Sequence, residues 1–182
     1  MGQGMGNATD EELMERFCEG DHAAFEVLFS RHAGAVQGFL ARMVRDGALA
    51  EDLLQTTFLS VVRSRDRFER GTRFGPWLMT IAANAARDAL RRRQHREAYR
   101  DSAPPPVPVT ADPSDPGMRK RLEDALQRLS PDQREAILLH KLEGWSYEEI
   151  ASMRGISVSA ARVRAHRGFE KLRQLLDGLV GE

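Results

Sequence analysis

Ser146–Leu176 reads SYEEIASMRGISVSAARVRAHRGFEKLRQLL, and this stretch decides how the C-terminal part of the chain folds. Ser146 and Glu149 form a capping box: the hydroxyl takes an orphan amide of the first turn and the carboxylate reaches back. A short helix over Tyr147–Arg154 follows, then Gly155-Ile156-Ser157, then a longer helix from Val158. Helix, glycine-containing turn and helix make a helix-turn-helix. Ile156 can pin the turn into a core and Ser157 can cap the second helix. At 100° per residue, Ala161, Ala165, Gly168, Leu172 and Leu176 form one stripe, small enough for close approach by a partner helix. Ser159, Arg162, Val163 and His166 lie opposite, with Arg167 at the edge and Arg164 and Lys171 toward the flanks. A small-residue face behind a basic one suits entry into the major groove of DNA. Arginine can bond a guanine edge bidentately, and Val163 can touch a thymine methyl. An ordinary amphipathic helix with a solvated basic face gives the same pattern.

Working outward, Ser130-Pro131-Asp132-Gln133 and Thr9-Asp10-Glu11-Glu12 are two more capping boxes, with Pro131 at the first helical position, where its missing N–H costs nothing. The pattern predicts helices over 10–19, 22–44, 48–66, 76–99, 118–129, 131–143, 147–154 and 158–178, and no period-two alternation argues for a strand. Six of the eight prolines fall in Asp101–Gly117, DSAPPPVPVTADPSDPG, which has no apolar periodicity. This reads as an extended linker reaching roughly 50 Å. The expected architecture is all-α: a helical bundle over residues 1–100, a proline-rich linker over 101–117 and a helix-turn-helix domain over 118–182.

Two helices of the first module carry stripes that a simple bundle does not need. On the third, Leu53, Leu54, Thr57, Phe58 and Val61 can face the core, while Asp52, Gln55, Thr56, Leu59 and Arg63 gather elsewhere. Polar residues around an exposed leucine resemble a protein-binding patch. On the fourth, Leu78, Ile81, Ala82, Ala85 and Ala89 form the buried stripe. Trp77, Thr80, Asn84, Arg87, Asp88 and Arg91 form another, roughly 120° away. A ring for stacking, amide and carboxylate groups for base edges and guanidinium groups for phosphate suit unstacked single-stranded bases. The preceding loop, Ser64–Gly75, adds Phe68, Phe74 and four arginines. Trp77 equally fits a core position at a helix start.

The 27 basic and 27 acidic residues cancel, but they are segregated. Asp10–Glu26 holds seven acids and one base, Arg87–Arg100 six arginines and two acids, and Arg162–Arg173 five bases and one acid. Separated basic stripes can bind phosphate at zero net charge, although charge segregation on solvated helices gives a similar pattern. No apolar run approaches the roughly 18 residues of a membrane span. The start, MGQGMGNATDEEL, has no signal-peptide character. A lone cysteine, Cys18, excludes an internal disulfide framework and fits a reducing cytosol, so a cytoplasmic protein without membrane insertion is expected. Cys18 and His22, one turn apart, with His32 further on, raise a thiol catalyst or metal pair. No third group has ligand spacing and no glycine-rich phosphate loop is present, so neither enzyme nor cofactor is expected and a structural cysteine fits better.

AEDLLQTTFLSVV, FGPWLMTIAANAARDALRRR and LSPDQREAILLHKLEGWSYEEIASMRGISVSAARVRAHRGFEKLR closely resemble regions two and four of extracytoplasmic-function (ECF) sigma factors of the sigma-70 family. The pieces stand in the family's order, with a proline-rich linker between them, and the resemblance covers about residues 10–178. It implies a non-enzymatic factor that binds core RNA polymerase, directs it to promoters and assists melting. The Asp52–Leu59 helix then docks on the clamp helices of the largest subunit, and region four touches the flap. The Ser64–Gly75 loop and the Trp77–Arg91 helix capture the melted non-template strand of the minus-ten element, with Asn84 and Asp88 at the family's reading positions. The Ser157–Arg173 helix reads the minus-thirty-five element through Arg162, Val163, His166 and Arg167. The linker threads toward the RNA exit path, and an anti-sigma factor is the regulator expected from family habit. Ala160-Ala161 stands where many members have Thr-Val, Phe169 where a base is common and Val163 where a small polar residue is frequent, so promoter sequence does not carry over. An ordinary helix-turn-helix regulator, whose first module senses a ligand or dimerises, explains the last helix but not the Trp77 stripe.

Overall fold

In the computed structural model, which describes residues 8–97 and 116–177, the chain is helical throughout, apart from its turns and caps. The helices are α1 (Asp10–Cys18), α2 (His22–Val44), α3 (Gly47–Ser64), α4 (Phe74–Glu97), α5 (Pro116–Gln127), α6 (Pro131–Lys141), α7 (Tyr147–Arg154) and α8 (Val158–Asp177), with one turn of 3-10 helix at Arg65–Arg67. Among the described residues they divide into two compact units, one of residues 8–40 and 48–92 and the other of residues 41–47, 93–97 and 116–177. The expected linker lies outside the described residues, except that Pro116 and Gly117 already belong to α5.

In the first unit, α1 starts where its capping box requires: the Glu12 amide donates to Thr9 Oγ1 at 3.2 Å and the Thr9 amide to Glu12 Oε2 at 2.8 Å. Asp10, Glu11 and Glu12 also place negative charge at the positive end of the helix. The core gathers Leu13, Met14 and Phe17 of α1, Leu28, Val36 and Phe39 of α2, Leu53, Phe58 and Val61 of α3 and Leu78 and Met79 of α4. Each fully buried side chain of this size removes enough apolar area to contribute about 1.5–3 kcal/mol. Phe17, Phe25, Phe58 and Phe29 form a ladder of rings with centroids 4.8, 6.1 and 4.7 Å apart. Thr57 is buried on α3, and its hydroxyl donates to the Leu53 carbonyl at 2.7 Å, so its burial leaves no orphan donor. Leu54 is half-buried rather than inside.

The buried face of α4 is wider than the sequence stripe. Leu78, Ala82 and Ala89 are buried as expected, but Met79, Ala83 and Ala86 join them while Ile81 and Ala85 are only partly covered. Alanines contribute little to the pattern of apolar bulk, so that pattern sets the rotation of this helix loosely. The helix also begins at Phe74, two residues earlier than expected.

The second unit takes in the Ala41–Gly47 segment and the last residues of α4 and centres on α5–α8, with α8 packed against α5, α6 and α7. Its core contains Leu126, Leu129, Ala136, Ile137, Leu138, Leu139, Trp145, Ile150, Ala151, Ala161 and Ala165. The capping boxes of Ser130 and Ser146 form as expected. Arg134 is buried, and its Nε donates to the Leu126 carbonyl at 3.0 Å while its Nη2 donates to those of Gln127 and Leu129 at 3.0 and 3.2 Å. The guanidinium thereby satisfies the carbonyl end of α5, where cations are favoured. Burial lowers its pKa to about 10, so it remains a cation at neutral pH.

The turn of the helix-turn-helix closes on Gly155, whose φ of 60° is the left-handed conformation that favours glycine after a helix. The Ile156 amide returns to the Ala151 carbonyl at 3.1 Å, and Ser157 Oγ accepts the Ala160 amide at 3.1 Å to start α8. Ala161, Ala165 and Gly168 face inward, and Leu172 and Leu176 are half-buried. A Cβ on Gly168 would lie 2.7 Å from Ile137 Cδ1 and 3.3 Å from Gln133 Cβ, so only glycine fits without movement of α6 side chains. Gly168→Val should therefore lower the stability of the second unit by about 1–3 kcal/mol, read as a fall in the thermal or urea midpoint. Gly168→Ala should cost much less, because Ile137 Cδ1 can swing aside and alanine favours helix by about 1 kcal/mol.

Candidate nucleic-acid and polymerase interface

The α3 stripe stands free of the core. Asp52, Gln55, Thr56, Leu59 and Arg63 are all exposed, and Leu59 keeps 54% of its surface accessible despite being apolar. Thr56 Oγ1 donates to the Asp52 carbonyl at 2.8 Å and Ser60 Oγ to the Thr56 carbonyl at 2.8 Å, so these hydroxyls turn back on their own helix. Phe29, 41% exposed, stacks edge-on against Phe58 and extends the ring ladder to the surface.

On α4 the polar stripe is presented as two paired sets. Arg87 donates through Nη2 to Asn84 Oδ1 and through Nε to the Ala83 carbonyl at 3.2 Å. Arg91 Nη2 lies 2.7 Å from Asp88 Oδ1. Engaging the carbonyl end of Asn84 leaves its NH2 group as the end that can donate to a base. Asn84, Asp88 and Arg91 are exposed, while Thr80 and Arg87 are half-buried. Thr80 Oγ1 donates to the Pro76 carbonyl at 2.8 Å.

Three aromatic rings stand at the start of α4. Phe68 and Trp77 are half-buried and meet edge-on at 5.1 Å. Phe74 departs from the expectation set by its sequence context: it is fully buried, with its ring 5.2 Å from that of His32 and 6.2 Å from that of Trp77, so it offers no face to a base. Its place at the first turn of α4 puts it under Trp77 rather than in the loop. Its amide donates to Glu11 Oε1 at 3.0 Å, which makes Glu11 the cap of α4 from 63 residues away in sequence. Beside it, Asp10 accepts from Arg31 at 2.8 Å and meets His32 Nε2 at 2.7 Å. Partial burial opposes ionisation of Asp10, but these hydrogen bonds outweigh it and hold the carboxyl below its usual range.

Cys18 Sγ donates to the Arg65 carbonyl at 3.2 Å, tying α1 to the turn that begins the loop. Burial first, and Asp66 next, push its pKa up, so the thiol stays protonated and is a poor nucleophile. With Glu15, Glu19, Phe68 and Arg70 it lines a cavity of about 140 Å³.

On α8, Ser159, Arg162, Val163, His166, Arg167 and Lys171 are exposed together. Val163 is 44% accessible and is the apolar member of this otherwise polar set. His166 Nε2 lies 3.5 Å from Glu170. Arg164 is only half-exposed and lies 3.3 Å from Asp132, which also accepts from Arg154 at 2.7 Å. A phosphate would therefore have to draw Arg164 away from Asp132 or share it. Arg162 instead lies over the ring of Tyr147, its Cζ 5.5 Å from the centroid, and Tyr147 in turn stacks on His140 at 4.4 Å. Neither Glu11 nor the Tyr147–His140 pair was marked by the sequence. Glu11 acts across a long separation, and the tyrosine sits at what reads as an ordinary helix start.

Comparison with known proteins also finds two parts. Residues 28–96 match the Sigma-70 region 2 model, and residues 119–172 match Sigma-70, region 4. The chain is 66% identical over 168 residues to RNA polymerase sigma factor CarQ of Myxococcus xanthus, covering 91% of this chain and 97% of that one. It is 36% identical over 170 residues to the ECF RNA polymerase sigma factor SigE of Mycolicibacterium smegmatis, covering 86% and 64%. Among solved structures it resembles the sigma factor RpoE in complex with the anti-sigma factor NepR from Bartonella quintana, at TM-score 0.75 and 28% identity over 84% of this chain and 96% of that one. It also resembles CnrH in complex with the cytosolic domain of CnrY, at TM-score 0.69 and 27% identity over 93% and 97%.

Glu11→Ala should lower the stability of the first unit by about 0.5–2 kcal/mol, the usual cost of a lost N-cap, whereas Glu11→Gln, which keeps an accepting oxygen, should lose much less. Thermal unfolding of the two variants against the parent checks this; equal melting of all three would show that the cap contributes nothing.

Proposed function

Because the chain belongs to the extracytoplasmic-function sigma factors of the sigma-70 family, and is thus a factor for transcription initiation without chemistry of its own, we propose that its two units divide a promoter between them. The first binds core RNA polymerase through Asp52, Gln55, Thr56, Leu59 and Arg63, docked on the clamp helices of the largest subunit, and holds the melted minus-ten strand with Phe68, Trp77 and the α4 pairs. The second meets the polymerase flap and reads the minus-thirty-five duplex with the exposed face of α8. The observation that carries this reading is the alignment of Trp77, Asn84, Asp88 and Arg91 along the open side of a helix whose other face is buried. A DNA-binding regulator with a sensing module has no use for such a line, whereas a strand-opening factor needs a ring, polar edges and cations in register.

Opening then needs no catalytic group. Unstacking costs a few kcal/mol per base step, and contacts available only to the exposed strand offset that cost. Two modest patches reach useful specificity because linker and polymerase convert the later contact into an intramolecular one. One solved relative is bound to an anti-sigma factor and another to the cytosolic domain of a second protein, which supports a protein regulator for this chain, and a cytoplasmic site of action follows from the proposed partnership with polymerase. No helix among the described residues is long and apolar enough to cross a membrane.

Leu59→Arg or Asp52→Arg should weaken association with core polymerase in a competition assay while circular dichroism stays unchanged; parental binding by both variants refutes the α3 patch. Asn84→Ala should reduce permanganate reactivity of the melted region on duplex promoter and should weaken holoenzyme binding to a pre-melted template as well. A variant with no defect on either template has lost nothing that reads a base.

A further inference from the structure

We propose that Tyr147, stacked on His140, is a positioning residue for Arg162, so that the first helix of the helix-turn-helix helps to set what its partner helix reads. The inference rests on the base-reading role given to Arg162 above and adds a residue to it.

The platform is fixed from below. Tyr147 occupies the first position of α7, immediately after Ser146, whose capping box holds that turn through hydrogen bonds of 3.1 and 2.9 Å. Its ring lies 4.4 Å from that of His140 with only 23° between the planes. His140 Nδ1 is 2.7 Å from the Trp145 carbonyl, and since a carbonyl only accepts, Nδ1 carries the proton and donates. Trp145 is itself buried, and its amide donates to the Leu139 carbonyl at 3.0 Å. The end of α6, the following turn and the start of α7 thus present one aromatic face at a fixed place.

Arg162 is exposed, with Cζ 5.5 Å from the centre of that face. This is within cation–π range. The contact differs in kind from the one that holds Arg164. Arg164 is held by an ion pair, with Nη1 3.3 Å from Asp132 Oδ2, whereas an aromatic face attracts the guanidinium charge without consuming any of its five donors. Arg162 is therefore restrained and still has its whole fork available for the O6 and N7 of a guanine. Restraint before binding reduces the side-chain freedom lost on binding, and it favours the one base whose edge meets a fork at that position.

The test uses full-length protein with core polymerase on a promoter library randomised across the minus-thirty-five element. Arg162→Ala should erase the preference at one position. Tyr147→Leu should reduce discrimination at that same position by about two- to five-fold, the range of an exposed cation–π contact, and should add nothing in the Arg162→Ala background. Tyr147→Phe, which keeps the ring, should behave as the parent. If Arg162→Ala shifts the preference but Tyr147→Leu does not, positioning is overturned while base reading stands. If Arg162→Ala changes no position, base reading fails and the proposal fails with it. If Tyr147→Phe weakens all sequences alike, the hydroxyl holds a phosphate and the ring is not the operative group, which also overturns the proposal. Should Tyr147→Leu lose its helical signal, the stack is judged in the parent protein by NMR. Arg162 side-chain resonances shielded by the ring, with the shielding retained in Tyr147→Phe, support it, and unshielded resonances overturn it.

Discussion

The approach of α8 to α6 at Gly168, where the nearest α6 atom stands 2.7 Å from the place a Cβ would take, constrains the rotation of α8. Ala161 and Ala165 seat the turns before it at zero exposure, and with that face inward Arg162, Val163, His166 and Arg167 have no direction but outward. The same device recurs in the first unit, where Ala82, Ala83, Ala86 and Ala89 seat α4. Small side chains bring helix axes close, and close axes tolerate little rotation, because any turn drives a larger neighbour into the contact. In both units, the face proposed for nucleic acid is positioned by small residues at the back of its helix.

Charge is handled by local pairing more than by excess. The chain is neutral overall, and its α4 stripe alternates partners: Asn84 with Arg87, Asp88 with Arg91. Exposed pairs of this kind add little stability, but pairing with Arg91 offsets the charge of the Asp88 carboxylate, which in the proposed complex would lessen its repulsion of a phosphate chain. The acids of α1 serve the scaffold in a different way. Asp10 and Glu11 cap, pair and hold the neighbouring segments, so the acidic cluster visible between Asp10 and Glu26 is partly internal wiring of the site and not merely a solvated face.

Most of the fold was legible because it is written in local rules. Three capping boxes, Gly155 after α7 and Ser157 before α8 each act within four residues, and the stripes of α3 and α8 repeat at helical spacing with residues of distinct character. The α4 rotation was legible only in outline, since a helix rich in alanine hardly distinguishes inside from outside by hydrophobicity. Phe74 illustrates the harder limit. In sequence it belongs to a glycine- and arginine-rich loop beside Phe68, but an amide cap from Glu11 and a pocket beside His32 draw it into the first turn of α4 and into the core. Nothing within ten residues signals either partner. The Tyr147–His140 stack escaped for a related reason: two aromatic rings seven residues apart across a helix end meet only once the turn between them has folded.

These long-range supports bear on the proposed recognition, by the first unit, of a strand that exists only after melting. A site for a transient ligand gains most when little of its own order has to be created on binding. Trp77 is held from beneath by Phe74, Phe74 by Glu11 and His32, and His32 by Asp10, so the ring reaches the surface at the end of a chain of buried or hydrogen-bonded contacts. Cys18 closes the other side by donating to the Arg65 carbonyl. α1 therefore does more than complete a bundle. It ties down both the first turn of the loop and the first turn of the helix after it, so a strand bound as proposed would meet aromatic and polar groups already in place.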